Sequence, residues 1–177
     1  MATGQVTLQE LNALDQERFV QALDGLFEGP PCIVAQAWHQ RPFADLNHLL
    51  QTLCSIMHAA PVAQQIMLLC AHPDLVGRAA LAGTLSPASA SEQAAAQLDR
   101  LTPEEVATFQ RLNAQYQQRF GFPFVICARE NKKESILAGF ASRLPHTREQ
   151  EITLALAEVA KICSFRLYDL VQPDGAA

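Results

Sequence analysis

Apolar residues recur at intervals of three and four along most of this chain, and this spacing limits the folds that it can adopt. The clearest case follows 102-TPEE-105, where a capping threonine, a first-turn proline and two acidic residues mark the start of a helix. The apolar face that follows consists of Val106, Phe109, Leu112, Tyr116 and Phe120, and Gly121 ends it. No stretch alternates with the two-residue period of a half-buried strand. The pattern predicts an all-α protein.

Similar start and stop signals predict the other helices. They place helices after Thr7, over 15–27, from Pro31, over 45–59, over 61–72, over 134–143, and from Thr147 to about Leu170. The small residues of 77–91 predict irregular chain, and 122–127 predicts an extended segment without a partner strand. A length of 177 residues suits one hydrophobic core. We therefore expect a single compact helical domain over 1–177, with about seven to nine helices.

Composition excludes several classes of partner. The net charge is −5 without a cluster of Lys and Arg, which argues against nucleic acid and acidic membranes as partners. No apolar run reaches the length of a membrane span, and the N-terminus MATGQVTLQE lacks a signal-peptide core. The chain has five cysteines, an odd number that cannot all pair within one chain, and no two of them have CxxC spacing. They predict reduced core thiols in a cytoplasmic protein.

The stretch 70-CAHPDLVG-77 follows an apolar helical run and contains the first candidate for chemistry, His72. Pro73 disfavours helix in the residue before it, so His72 should stand at a helix C-terminus, where its protonated form is favoured. Pro73 stiffens the turn, and Gly77 allows another. Such a histidine can deliver a proton into a cleft, or it can merely cap the last carbonyls of the helix. This stretch alone leaves both interpretations open.

Arg166 is the second candidate, because it falls near the apolar face of the last predicted helix. That face consists of Ile152, Leu156, Val159, Cys163, Leu167 and Leu170. A guanidinium close to the core needs an anion, which can be a substrate carboxylate or an internal Asp or Glu. The opposite side carries Leu154, Phe165 and Tyr168. A helix that is apolar on two sides predicts burial on both, as in a homodimer interface.

The third candidate is 89-SASEQ-93. Ser89 and Glu92 have the spacing of a capping box, which predicts a helix from about Ala90. The same spacing fits a helix N-terminus that offers backbone N–H groups and an acidic side chain to a small polar ligand. The spacing does not separate the two interpretations.

Taken together, four motifs resemble those of the OHCU decarboxylases, the 2-oxo-4-hydroxy-4-carboxy-5-ureidoimidazoline decarboxylases of urate degradation. In chain order, the motifs are 72-HPDL-75, 89-SxxEQ-93, 122-FPFVI-126 and 161-KIxxxRL-167. Each is weak alone, but their order and separations make the set specific. The resemblance covers nearly the whole chain, from Leu11 to Leu170.

This resemblance implies roles for particular residues. His72 would be the catalytic acid, Glu92 would lie near it and bind substrate, and Arg166 would pair with substrate. The predicted substrate-binding residues are Pro73, Ser89, Ala90, Ser91, Gln93, Phe122, Phe124, Val125, Ile126, Cys127 and Ala128. Pro73 would pack against the substrate ring, and the chain from Phe124 to Ala128 would lend it backbone groups. We expect His72 to face Arg166 across a dry slot.

The resemblance also implies a cofactor-free carboxy-lyase, often dimeric, that acts on a small ureidoimidazoline and releases (S)-allantoin and carbon dioxide. The residues agree, since none of Lys132, Lys133 and Lys161 has the apolar surroundings of a Schiff-base lysine. The five histidines form no HxxxH or HExxH pair, so we expect no metal site. Two alternatives stay open, namely a non-catalytic helical binding module and a metal-dependent ureide hydrolase.

Overall fold

The computed structural model describes residues 5–172, and helices dominate them. In chain order the elements are β1 (Val6–Thr7), α1 (Leu8–Ala13), α2 (Gln16–Ala22), α3 (Cys32–Ala37), α4 (Leu46–Ala59), α5 (Val62–Cys70), α6 (Arg78–Leu81), α7 (Pro87–Ala95), α8 (Pro103–Phe120), α9 (Lys133–Arg143), α10 (Arg148–Leu170) and β2 (Val171–Gln172). Short 3-10 turns lie at Trp38–Gln40 and Ala128–Glu130. The all-α prediction is confirmed.

The ten α-helices of 5–172 exceed the predicted seven to nine because the segment 77–91 is not irregular. It contains α6 and the start of α7. Alanine favours helix strongly, and Ser86-Pro87 supplies an N-cap followed by a proline in the first turn. The Ser86 side chain accepts a hydrogen bond from the Ser89 N–H. The predicted cap at Ser89 is therefore wrong, since Ser89 lies inside α7.

Two further differences occur near the ends of the chain. The predicted helix over 15–27 ends at Ala22, and Gly25 and Gly29 then adopt φ angles of +80° and +85°. β1 and β2 form a parallel pair in which Val6 lies opposite Val171. Two residues per strand are too few to produce a recognisable sequence pattern.

One compact unit comprises 5–62 and 160–172. It holds α1 to α4, the C-terminal half of α10 and the two strands. Its core side chains include Leu11, Phe19, Leu23, Leu49, Leu53, Cys163 and Leu167. Arg41 donates hydrogen bonds to the carbonyls of Asn12 and Leu14, at 2.8 and 2.6 Å, and so joins the loop after α3 to the end of α1.

The second compact unit comprises 63–159 and contains α6 to α9, with most of α5 and the first half of α10. The largest side chains of its core are aromatic, namely Phe109, Tyr116, Phe120, Phe122, Phe124 and Phe140. Phe124 and Phe140 stack with their ring centroids 3.8 Å apart. The extended segment 122–127 is confirmed and contributes two of these rings. The single domain over 1–177 stays a prediction.

The cysteines differ from the expectation of core thiols. All five are free, but only Cys127 and Cys163 are buried, and Cys32 and Cys70 are exposed. Burial raises the pKa of the two buried thiols. No single helix of 5–172 is long and apolar enough to cross a membrane; only the bent pair α4 and α5 passes that test, when its two helices are counted together.

Candidate active site

His72 lies in the turn that ends α5. The helix itself stops at Cys70, two residues earlier than predicted, and the His72 N–H continues with a hydrogen bond to the Leu69 carbonyl. The imidazole is 8% exposed, and its Nδ1 lies 2.9 Å from the Leu68 carbonyl oxygen. A carbonyl only accepts, so Nδ1 must carry hydrogen. The ring therefore has a fixed tautomer, with Nε2 as the nitrogen that can gain or lose a proton.

The turn after His72 is tight and strained. Gly77 N–H donates to the Asp74 carbonyl at 3.2 Å, and Val76 inside the turn has a φ of +56°. This left-handed conformation is unusual for a β-branched residue. Gly77 has an extended φ, but a Cβ there would stand 2.6 Å from the Cβ of Asp74. Gly77 is therefore required because there is no room for a side chain at this position. The left-handed backbone conformation occurs at Val76, one residue before the glycine.

Three side-chain amides hold this turn in place. Gln93 accepts a hydrogen bond from Val76 N–H at 3.1 Å, Asn113 donates to the Leu75 carbonyl at 2.8 Å, and Gln117 donates to Asp74 Oδ1 at 2.7 Å. Sequence reasoning missed Asn113 and Gln117. A signal existed for Asn113, because it shares the buried face of α8 with Phe109, Tyr116 and Phe120. A buried amide needs hydrogen-bond partners, and a backbone turn provides them.

His72 opens onto a pocket of about 570 Å³ within the second unit. The described residues that line it are Cys70, His72, Pro73, Asp74, Arg78, Ala79, Ala82, Thr84, Gln117 and Pro123. Burial raises the pKa of Asp74, while the hydrogen bond from Gln117 and the charge of Arg78 oppose that rise. The pocket therefore combines an imidazole, a guanidinium and a partly desolvated carboxyl group.

The 89-SASEQ-93 residues lie in the middle of α7 and differ in exposure. Ser89 and Gln93 are buried, Glu92 is half-buried, and Ala90 and Ser91 are exposed. Gln93 binds the turn that follows His72, so the structure brings these two motifs together. Ala90 and Gln93 also line a second pocket of about 420 Å³, to which Val76 contributes.

The segment 122–128 is mostly buried, and only Ile126 is half-buried. Pro123, which was not among the predicted site residues, lines the pocket of His72. The predicted residues of this segment, Phe122 and Phe124 to Ala128, do not line it. The Val125 carbonyl accepts from Arg143 Nη1 at 2.7 Å, and Cys127 N–H donates to Glu158 Oε2 at 2.8 Å. These two backbone groups therefore already bind protein side chains.

A buried polar cluster behind this segment was also missed. Glu151 accepts hydrogen bonds from Tyr116 and Arg143, and His146 Nδ1 lies 2.6 Å from its other oxygen. The Arg143 guanidinium lies 4.4 Å from the centre of the Phe124 ring. Burial and the hydrogen bond with Glu151 raise the pKa of Tyr116, so its hydroxyl stays protonated. The cluster fixes the backbone of 122–128 through the carbonyl of Val125.

Arg166 belongs to the first unit. Its Nη1 donates to the Gly25 carbonyl at 3.0 Å, and its Nη2 donates to Glu28 Oε1 at 3.1 Å. The side chain is 5% exposed. The sequence allowed either a substrate carboxylate or an internal acidic residue as the partner of Arg166. An internal glutamate, Glu28, is present beside the guanidinium. The role of Arg166 toward substrate stays a prediction.

Within 5–172, no three His, Cys, Asp or Glu side chains converge so that they could hold a metal ion.

Comparison with known proteins gives consistent matches. The family model described as OHCU decarboxylase matches residues 12–168. The 2-oxo-4-hydroxy-4-carboxy-5-ureidoimidazoline decarboxylase of Amia calva is 42% identical over 93% of this chain and 94% of its own length. The Xenopus laevis protein of the same name is 38% identical over 92% and 93%. The crystal structure of an (S)-allantoin synthase superposes with a TM-score of 0.73 at 26% identity, covering 94% of this chain and 54% of that one.

Proposed function

The chain belongs to the OHCU decarboxylase family, and we propose that His72 is the acid with which it converts 2-oxo-4-hydroxy-4-carboxy-5-ureidoimidazoline to (S)-allantoin and carbon dioxide. The enzyme is a carboxy-lyase of urate degradation, and its substrate is a small molecule. The observation that carries the role of His72 is its placement: a nearly buried imidazole, held at one nitrogen, at the edge of a pocket large enough for a five-membered ring.

The reaction breaks the bond between a ring carbon and its carboxylate. The electron pair of that bond stays on the substrate, where the conjugated ureidoimidazoline spreads it, and carbon dioxide leaves. A proton from His72 Nε2 then forms the new C–H bond at the neighbouring, ureido-bearing ring carbon. The hydroxyl-bearing carbon that lost the carboxylate becomes a ring carbonyl, and its hydroxyl proton passes to the ring nitrogen that took up the negative charge. Because the substrate supplies its own electron sink, the enzyme's contributions are orientation, partial desolvation of the carboxylate and delivery of the proton.

The fixed tautomer determines the charge that His72 needs. Since Nδ1–H is held by the Leu68 carbonyl, Nε2 can donate only when the ring is an imidazolium. The end of α5 favours that form, because the C-terminal carbonyls of a helix carry partial negative charge. Donation leaves a neutral ring with its hydrogen on Nδ1. One proton from solvent restores the acid.

The other predicted residues complete the proposal. Glu92 would hold the ureido N–H groups, and Ser89 and Gln93 would make further polar contacts. Pro73 would pack against the ring, and the chain from Phe124 to Ala128 would lend it backbone groups. Arg166 would pair with substrate. A homodimer is proposed on the family resemblance and on the exposure of Tyr168, which is 48%. A cytoplasmic location is proposed on the five free cysteines. Sedimentation velocity over a dilution series tests the dimer, and a monomer throughout would exclude it.

Circular dichroism of freshly generated urate-oxidation product tests the reaction. Spontaneous decay gives racemic allantoin, so an optical signal reports the enzyme. His72→Asn should lower kcat by about 10²- to 10⁴-fold, the usual contribution of a general acid, without loss of helical content. His58→Asn, an exposed histidine near the end of α4, is the matched control.

The same assay separates the alternatives. A non-catalytic binding module predicts only the racemic background from the wild-type protein. A metal-dependent ureide hydrolase predicts loss of activity after exhaustive chelation, followed by recovery when metal is added. Full activity of His72→Asn would show that His72 is not the acid. The assignment of the chain as a decarboxylase would be unaffected.

A further inference from the structure

Arg78 stands at the mouth of the pocket that contains His72. It is the first residue of α6 and is exposed. The turn immediately before it is fixed by hydrogen bonds from Gln93, Asn113 and Gln117 and by the close approach of Gly77 to Asp74. The backbone that carries Arg78 is therefore firmly positioned relative to His72, and the residue is exposed.

The charges around the pocket leave this guanidinium available. Of the described residues that line the pocket, Arg78 is the one permanent cation. Within 5–172, no carboxylate forms an ion pair with it, and its effect on Asp74 is a longer-range attraction. Asp74 Oδ1 instead accepts from Gln117. Arg166, in contrast, has Glu28 and the Gly25 carbonyl beside it.

We infer that Arg78 receives the carboxylate of the substrate, an assignment that rests on the proposed function. The carbon that accepts the proton from His72 is bonded directly to the carbon that loses the carboxylate. A cation that binds this carboxylate must therefore share the pocket of the acid, and Arg78 satisfies that requirement. Its planar fork matches a carboxylate in two-point contact.

The chemistry determines which kinetic constant Arg78 affects. Its contact with the carboxylate is made in the ground state and weakens as the carboxylate becomes neutral carbon dioxide. Such an interaction improves binding but does not lower the barrier from the bound state. Arg78 captures and orients the substrate, so its loss raises KM and leaves kcat unchanged or slightly higher.

Arg78→Gln tests this inference. We expect KM to rise about tenfold, as for the loss of one charge-assisted contact at an exposed site, with kcat within about twofold of wild type. Arg78→Lys should recover part of the loss, because it keeps the charge without the fork. Arg100→Gln is the control, since that side chain is 85% exposed and does not line the pocket.

A binding measurement that needs no turnover accompanies the kinetics. Calorimetry compares (S)-allantoin, which lacks the carboxylate, with hydantoin-5-acetate, a ureide ring that carries one. Arg78→Gln should weaken binding of hydantoin-5-acetate about tenfold and leave (S)-allantoin unchanged. Equal weakening of both ligands, or no change in either, overturns the inference. A wild-type protein without turnover refutes the proposed function, while this binding comparison still decides the role of Arg78.

Discussion

At the scale of single residues, Glu151 has the least exposed charged side chain of the part of the chain that the structure describes. Its two oxygens bind Tyr116, Arg143 and His146, and Arg143 in turn holds the Val125 carbonyl. A buried carboxylate of this kind depends on its partners, because an unpaired charge in the protein interior is strongly unfavourable. The same holds in reverse, since loss of the carboxylate leaves its buried partners without an anion. The cluster therefore links stability to the position of 122–128.

Glu151→Gln should destabilise the protein by about 3–5 kcal/mol, since it leaves the buried Arg143 guanidinium without its anion. Urea unfolding measures the change. Glu149→Gln, on the exposed side of the same helix, is the control and should stay within about 0.5 kcal/mol of wild type. If both variants lost the same free energy of unfolding, the ion pair between Arg143 and Glu151 would make no specific contribution to stability.

Asp74 predicts a dependence of stability on pH. Burial raises its pKa in the folded protein above the ordinary value of 3.8. The folded state therefore holds the proton more tightly, and the stability associated with it is lost as the pH rises from 3.8 through the folded pKa. Asp74→Asn removes this loss and can still accept the hydrogen bond from Gln117. The variant should gain stability relative to wild type as the pH rises above 3.8, and urea unfolding over a pH series measures this gain. A constant difference would contradict this.

Residue roles were only partly predictable from the sequence. The motif placed His72 at a helix end and Arg166 close to a core, and the structure agrees with both. The partners were not predictable, because Glu28 lies 138 residues from Arg166 in the chain, and Asn113 lies 38 from Leu75. A polar residue on an apolar helix face signals that a partner exists, but its identity depends on tertiary packing.

At the scale of elements, α7 shows how two capping signals compete. Ser86 is the observed N-cap, whereas the sequence also offered Ser89 with Glu92. Ser86→Ala should cost about 1 kcal/mol, the usual value for a lost N-cap. Ser91→Ala, at an exposed position inside the helix, should be neutral or slightly stabilising because alanine has the higher helix propensity. Thermal unfolding compares them, and a larger loss for Ser91→Ala would contradict the assignment.

Element boundaries were predicted well where local chemistry defines them. Thr102 and Gly121 delimit α8 as expected, and α9 and α10 lie within one residue of their predicted starts. The predictions failed where no local signal decides. At Val76 the backbone is left-handed although the residue is not a glycine, so no glycine marks the turn in the sequence. The two short strands pair although they are more than 160 residues apart in the chain. Both depend on contacts that come from elsewhere in the fold.

At the scale of the whole molecule, α10 contributes residues to both compact units. We therefore expect the predicted single domain to unfold in one transition, since loss of this helix removes core residues from both units. Fluorescence of Trp38, the one tryptophan of the chain, reports the first unit, and circular dichroism reports helices of both. Coincident urea transitions are expected. Two separated transitions would show that the units are independent domains.

The hydrogen bond between His72 Nδ1 and the Leu68 carbonyl has a consequence for the product. A ring held at one nitrogen cannot turn over to present its opposite edge, so the substrate always meets the same donor from the same side. In heavy water, newly formed allantoin should carry one deuterium on the ureido-bearing carbon, next to the carbon that lost carbon dioxide, in a single configuration. The handedness of the product would thus originate in one backbone carbonyl, four residues before the acid.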